Sequence, residues 1–585
     1  MKLKIFLIGL ILLISLGVVS AADNSTDLSM DDGLDDVISE DVKVEKTFDD
    51  LQNEINDAKA NGTVKLEGTY IASNRTINVP YDGFTSTSFV IDGQGKTVID
   101  GNNSKDLLFL TNISSEHVTF KNIKFINSNY EIIRGECSLI IENCEFLNNS
   151  GDSLIYGGWY NNCSIINSIF DNNRATNSII DSYSDNLIIS NCNFTNNKNA
   201  ILEISRSLNV LLCNVNLFNN IINDDAIYVG YDCEKFTLMN SSFINNKVSQ
   251  ILLRQLAQRG DIVNCNFEDN QGDLFITFSN FDNCKFINTT ASFQLIDIGS
   301  NDYIRPVIKN SIFRDNHVYC DAAQSSLLVV SGKVDVESCE FTNNTAPYGG
   351  AIYWLGDGKV DNCSFANNYA KIGGAIFVSI PKLVLTNNKF INNKAVSYND
   401  VYGFFSFELP KESYYYGEKI TVKVKDKFTN KYVDGMRFDF VFWKNKIRSG
   451  KSVSACAKSF NTLSLSAAKY VAIIHLDDDD VQASLTKTVT IKKAPTSVKA
   501  PKVTNKFKKS KYFKVTVKNK VTKDPVKKTV IKLKIGKKTY NVKTDSKGVA
   551  KFNTKKLKVG KYKVVISSGS DNYKISAKST IKIKK

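Results

Sequence analysis

With 585 residues, a net charge of +14, 12 Cys and 3 His, the chain is too long for one compact core and fits an elongated multidomain protein. The charge is uneven: residues 495–585 hold 29 Lys, no Arg and 3 Asp, a net +26, which leaves −12 for the remainder. Scattered histidines (His117, His317, His475) and the lack of any Cys-x-x-Cys pair argue against a zinc site, and we expect neither metal nor cofactor.

In chain order, Lys2 and Lys4 precede an apolar run from Ile5 to Val19 and then Ser20-Ala21-Ala22. That is the pattern of a secretory signal over 1–22, cleaved near Ala21-Ala22, and the run is short for a membrane span. No second apolar stretch of spanning length follows, so we expect a secreted or cell-surface protein with no transmembrane helix. Residues 23–46, rich in Asp and Ser and poor in aromatics, are expected to be an acidic disordered leader. At Thr47-Phe48-Asp49-Asp50 a capping-box pattern opens a helix carrying Phe48, Leu51, Ile55 and Ala58 on one side, closed by Asn61-Gly62. Such a helix would cover an open sheet edge.

From Thr63 to about residue 400 the pattern is β-type, and it repeats. Units such as Ile141-Glu142-Asn143-Cys144-Glu145-Phe146-Leu147-Asn148-Asn149 recur with marks at Phe125, Phe146, Phe170, Phe194, Leu217, Phe243, Phe267, Phe286, Phe313, Phe341, Phe365 and Phe390. The mean step of about 24 residues lies in the range of solenoids. Three short strands per unit with tight turns predict a parallel β-helix over 47–400. At about 4.8 Å per turn, roughly fourteen turns give a rod of about 65–70 Å. Three residues before the mark stands Asn in every copy but one (Ser338), and two after it Asn or Asp in all. Asn tolerates left-handed backbone and bonds its own kind one rung away, so these are predicted corners, with the Phe as an internal stack. Cys144, Cys192, Cys265, Cys284, Cys339 and Cys363, two before the mark, should point inward as reduced core thiols, because parallel side-chain vectors rarely give disulfide torsions.

Two late repeats carry Gly349-Gly350-Ala351-Ile352-Tyr353 and Gly373-Gly374-Ala375-Ile376-Phe377. Together with the Asn-Cys-x-Phe-x-Asn-Asn units, residues 47–400 resemble the adhesin-like surface proteins of methanogenic archaea. The resemblance implies a pectate-lyase-like, right-handed β-helix and says little about the ligand. After Asn399 the Asn pattern stops. Alternations at Lys419–Lys425, Phe438–Phe442 and Leu485–Ile491, and again at Phe513–Val517, Thr529–Ile535 and Tyr562–Ile566, predict two Ig-like β-sandwiches over 401–494 and 495–585. Thr544-Asp545-Ser546-Lys547-Gly548-Val549-Ala550-Lys551-Phe552 resembles the turn-strand motif of bacterial and archaeal Ig-like repeats in surface adhesins. The expected fold class is therefore all-β, a right-handed parallel β-helix followed by two Ig-like domains.

A glycosidase needs two carboxylates about 5–9.5 Å apart, hence on one side of adjacent turns. Asp181 and Asp297 share an offset from their marks but sit five turns apart, and Asp225 and Asp321 sit four apart, so neither forms a pair and no catalytic residue is assigned. The densest acidic group is Asp224, Asp225 and Asp232, with Arg206 nearby as a clamp; Trp159 and Tyr160 beside Gly157-Gly158 are candidates for stacking on a sugar ring. The run Asp477-Asp478-Asp479-Asp480 lacks calcium-loop spacing and is expected to be a solvated hairpin. Sequons at Asn74, Asn112 and Asn288 follow from an Asn-rich composition as readily as from glycosylation. Export, an all-Lys basic segment and no recognition helix argue against nucleic acid. An anionic cell envelope is the partner expected for the basic C-terminal domain. The reading that follows is a secreted or surface adhesin-like protein binding glycans or proteins of neighbouring or host cells through the β-helix. A polysaccharide lyase or glycoside hydrolase, and a structural envelope component, are the alternatives.

Overall fold

The computed structural model describes residues 45–585 apart from 59–61, 74, 80–87, 112–115, 159–160, 302, 323, 445–452 and 479–480. The expected signal and nearly all of the leader lie outside the described residues. Nearly everything described is β-structure, and the coil winds through about fourteen turns, in which Tyr70, Ile99, Phe125 and the later marks to Phe390 stand in unbroken parallel register. Each turn lays down three strands, as in Ser138–Glu142, Glu145–Leu147 and Ser150–Gly157. One core runs from Phe48 to Phe404.

The two Asn positions make the corners. All twelve residues three before the mark, Ser338 included, have φ between 51° and 57°, and all twelve two after it lie between 46° and 59°. This is the left-handed region that side chains other than Asn, Asp and Gly avoid. The outer corner amides bond along the surface, as from Asn191 to Asn167 (2.9 Å) and from Asn172 to Asn148 (2.7 Å).

The next residue, the second Asn of Asn-Asn, is buried and builds an internal ladder. Asn246 Nδ2 donates to Asn270 Oδ1 (2.9 Å) and Leu217 O (2.9 Å), while its Oδ1 accepts from Asn220 Nδ2 (2.8 Å) and Asn220 N (3.1 Å). The pattern repeats from Asn149 to Asn270, breaks at Thr289, resumes from Asn316, and ends where Asn393 donates to the Asp400 carboxylate (3.0 Å). Within the unbroken runs the ladder amides pair their donors and acceptors in a place closed to water, where an unpaired group is costly.

The Phe marks stack at 4.6–5.0 Å with nearly parallel planes, interrupted at Leu217. Both ends are closed by rings from outside the repeat: Phe109 and Phe48 at the start, and Phe428 edge-on to Phe390 (4.9 Å) at the finish. The cysteines two before the mark are free and buried, and they do more than fill space. Cys192 Sγ donates to Ser190 O (3.3 Å), as Ser168 Oγ does to Ile166 O (2.9 Å) in the preceding copy, and Ser168 Oγ also accepts from Cys144 N (3.2 Å). Thiol and hydroxyl interchange here because both satisfy the same corner carbonyl.

The helix α1 (Phe48–Asp57) has the expected capping box: Asp50 N donates to Thr47 Oγ1 (3.2 Å) and Thr47 N to the Asp50 carboxylate (2.8 Å). It buries Phe48, Leu51 and Ile55, and Gln52 exchanges two bonds of 2.9 Å with the backbone of Asn78, giving the edge strand the partners it lacks. The coil begins before this helix, since Glu45–Thr47 pairs in parallel with Gly68–Ile71.

After residue 404 come mainly antiparallel sheets in two units. The first, spanning 405–492, includes a five-stranded sheet; the second, spanning 494–584, pairs a four-stranded with a five-stranded sheet around its own core. The first unit is not simply a continuation of the rod, for it shares a hydrophobic cluster with Val329, Tyr353 and Phe377 of the coil. The acidic run lies in the connection of the antiparallel hairpin Lys469–Leu476 and Ser484–Lys492, where exposed Asp477 pairs with Arg437 (3.1 Å) and Asp478 reaches the coil, accepting from the Tyr402 hydroxyl (2.7 Å); Asp479 and Asp480 lie outside the described residues.

Candidate functional site

The third strand of each turn is where side chains depart from the repeat. In register on successive turns stand Arg134, Tyr156, Asp181, Glu203, Tyr228, Arg254, Phe275 and Asp297, followed by Val329, Tyr353, Phe377 and Tyr402. Their inward neighbours, from Ile155 and Ile180 to Ile296, are fully buried, so alternation turns this row outward. At about 4.8 Å per strand the first eight residues cover about 34 Å.

The row changes character after Asp297. Val329, Tyr353 and Phe377 are buried under the first C-terminal unit, whereas Arg134 to Asp297 remain half-buried. Exposed aromatics flank this part: Tyr130 and Phe293 just before strands of the face, Tyr231 and Tyr303 just after.

The two arginines of the row are each fixed by a carboxylate and set against a ring. Arg134 donates twice to Glu131 (2.6 and 2.7 Å) and lies 5.4 Å from the centre of the Tyr156 ring. Arg254 pairs with Asp225 and lies 5.9 Å from Phe275, and Arg206 stands 3.8 Å from Asp232. The Tyr156 and Tyr183 rings are 5.9 Å apart.

Between the arginines sit Asp181 and Glu203, in register on adjacent turns. Burial, and then the negative charges of Glu203, Glu131 and Asp152, push the Asp181 carboxyl up to about 7. Its Oδ1 is buried and has no hydrogen-bond partner among the described residues. Burial likewise raises Asp297 and Asp273. Near neutrality the Asp181 carboxyl is therefore only partly ionised.

The residues singled out from the sequence are distributed differently. Trp159 and Tyr160 lie outside the described residues, as do Asn74 and Asn112. Asp225 is taken up by Arg254 and Asp232 faces Arg206, on opposite ends of the strand Ile227–Val229; Asp224 is exposed and accepts from Asp225 N (3.0 Å). The three acids do not converge, and no group of three or more His, Cys, Asp or Glu able to hold a metal occurs among the described residues. Asp225 and Asp232 border the row through Arg254 and Arg206.

The Asp181–Glu203 pair was missed because offsets from the Phe mark are not constant. Register shifts between the corner and the third strand let Ser178 face Ala200, although these stand eight and six residues past their marks. Counting from the mark therefore misaligns this face, whereas counting back from the buried Ile or Leu beside each row residue would have aligned it.

A family model described as the right handed beta helix region matches residues 107–255 and 213–359. Metabotropic glutamate receptor-like protein P of Dictyostelium discoideum is 24% identical over 271 residues, covering 44% of this chain and 18% of its own length; the chain thus spans less than a fifth of that relative. Among solved structures, Yersinia pseudotuberculosis adhesin InvE aligns at 12% identity over 30% of this chain and 58% of its own, with a TM-score of 0.18. The D00-D0 domain of Intimin aligns at 12% over 31% and 100%, with a TM-score of 0.14. Clostridium thermocellum CbhA fibronectin(III)-like modules align at 12% over 31% and 94%, with a TM-score of 0.15. Likenesses this weak carry no weight. Taken with the parallel register of its turns, the family match identifies the coil of this all-β chain as a right-handed parallel β-helix.

Proposed function

We propose that this is an exported, surface-associated protein whose β-helix binds an extended glycan along the row from Arg134 to Asp297. The observation that carries the reading is the row itself: eight outward residues in register, alternating rings, arginines and carboxylates, on an open face about 34 Å long. Rings stack on sugar faces, and fixed arginines and acids bond hydroxyls or charged substituents, while the rigid ladder beneath keeps their spacing constant. The two C-terminal units are read as Ig-like spacers, the first clamping the coil where the row turns apolar. The test is a glycan array probed with the full chain and with Tyr156→Ala and Arg254→Ala. We expect a polymeric glycan bound by the full chain and weakened at least tenfold by each substitution. Unchanged binding in both variants, or no glycan bound at all, rejects the reading.

One observation favours a second reading, hydrolysis of the bound polymer. Asp181 and Glu203 form the adjacent-turn carboxyl pair that acid–base cleavage requires, with Asp181 poised to give or take a proton near neutrality. Release of reducing ends by the full chain and its loss in both Asp181→Asn and Glu203→Gln would support an enzyme. Binding without release assigns the face to adhesion.

A further inference from the structure

The lysines of this chain are placed in two different ways. On the coil several stand next to acids: Lys121 with Asp92 (3.3 Å), Lys309 with Asp282 (3.1 Å) and Lys359 with Glu337 (2.8 Å). In the second C-terminal unit the only ion pair among the described residues is Lys493 with Asp571, across the boundary between the units. Its five-stranded sheet collects the unpaired charge. Lys532 and Lys534 on Val530–Ile535, Lys561 and Lys563 on Gly560–Ser568, and Lys578 and Lys582 on Ser576–Lys584 are all exposed, on the side opposite the buried Leu533, Val564 and Ile581.

Register makes this a lattice. Lys534 and Lys578 flank Val565 on the central strand, and Lys561 faces Lys582 directly. Neighbouring charges are therefore about 5–10 Å apart, across strands or two residues along one, inside the distance over which physiological salt screens them. No Asp or Glu occurs on any strand of this sheet. Like charges this close repel in the folded state, and the acids Asp524, Asp545 and Asp571 all lie in connecting segments, off the sheet.

We propose that this sheet face is a docking surface for an anionic polysaccharide, a sugar polymer carrying regularly repeated carboxylate or phosphate charges. Its binding is independent of the Arg134–Asp297 row. Between the lysines the face carries Ser567, Ser576, Thr580 and Val565 and no aromatic ring, so it offers nothing to stack on bases or to enter a bilayer. Lysine without arginine recognises charge number and spacing, not the planar fork of a single phosphate or base edge. A flat ammonium lattice fits a repeating chain of anions and gains affinity from many weak contacts in parallel.

The experiment uses the full chain and two variants with the same charge loss: Lys534→Gln, Lys563→Gln, Lys578→Gln and Lys582→Gln together on the face, and Lys508→Gln, Lys509→Gln, Lys555→Gln and Lys556→Gln together off it. Binding to polygalacturonate, neutral dextran, duplex DNA and vesicles of phosphatidylglycerol is measured at two salt concentrations, with far-UV circular dichroism confirming the fold. We expect salt-sensitive binding to polygalacturonate and none to dextran, with the face variant at least tenfold weaker and the off-face variant within threefold of the parent. Equal losses in the two variants, tighter binding to DNA or vesicles than to polygalacturonate, or no polygalacturonate binding at low salt overturns the proposal. Tyr156→Ala leaves the face-dependent part unchanged, so failure of this inference and failure of the coil reading are told apart.

Discussion

Asn245 and Asn246 are neighbours of identical chemistry, and the structure gives them opposite roles. Asn245 is an exposed corner with φ of 55°, its amide bonded to Asn219 Oδ1 (2.8 Å) at the surface. Asn246 is fully buried and its side chain makes four bonds of 2.8–3.1 Å. In Asn246→Ala the amide of Asn220 loses its acceptor outright. Asn220 Nδ2 retains Phe194 O (2.9 Å) and Asn270 Oδ1 retains Asn246 N (3.0 Å), so these are only half-deprived. One orphaned buried donor, these two weakened partners, the side-chain bond lost by Leu217 O and a small void sum to about 3–5 kcal/mol. Asn245→Ala puts Ala in a left-handed conformation and loses a bond that water replaces, about 1 kcal/mol, and Asn245→Gly stays within about 0.5 kcal/mol. Urea unfolding followed by the fluorescence of buried Trp354 reads the difference: for Asn246→Ala the midpoint should fall by about 1–2 M, with faster hydrogen exchange at the Asn220 amide. If Asn246→Ala is no more damaging than Asn245→Ala, the internal ladder does not stabilise the coil and the reasoning fails.

Asp181, with its carboxyl at about 7 against an ordinary 3.8, holds its proton in the folded protein over a range where the unfolded chain has lost it. Its contribution to stability is therefore full below about pH 4 and is lost as pH rises to about 7. Complete enclosure would make this about 4 kcal/mol; for a half-buried group about 2 kcal/mol is expected. Asp181→Asn should match the parent at pH 4 and exceed it by that amount at pH 8 in denaturant titrations, and parallel curves would refute the assignment. In a Cys456→Ser background only the half-buried Cys320 should react with a thiol reagent before unfolding, since burial pushes Cys144, Cys163 and Cys192 to about 12; several fast-reacting thiols by mass spectrometry would contradict the buried register. Gly349 has φ of 57° and an added Cβ would lie 2.1 Å from Ile352 O, whereas at Gly95, φ 72°, it meets nothing within 4 Å. Gly349→Ala should cost more than about 3 kcal/mol and Gly95→Ala about 1 kcal/mol, compared by thermal melts.

The coil was legible in the sequence because its rules are local. A left-handed corner needs Asn, a buried mark needs Phe, and both recur at fixed spacing around each corner, so the register from Phe125 to Phe390 follows from the chain alone. The cap helix was equally local, its box formed by Thr47 and Asp50. The second Asn of Asn-Asn was visible as composition, but its burial was not: which of two adjacent amides turns inward depends on the angle of the corner.

The functional face was hidden for a different reason. Its residues are set by how many residues each turn spends between corner and third strand, and the register shifts at Ser178 and Leu253 absorb the difference without any mark in the sequence. Only stacking of the turns placed Asp181 beside Glu203, drew Asp225 to Arg254 and Asp232 to Arg206, and buried the far end of the row beneath the first C-terminal unit. The sequence determined the rod, because its contacts repeat every turn. The tertiary structure decided the row along its side, because those contacts join residues whose separation along the chain differs from one turn to the next.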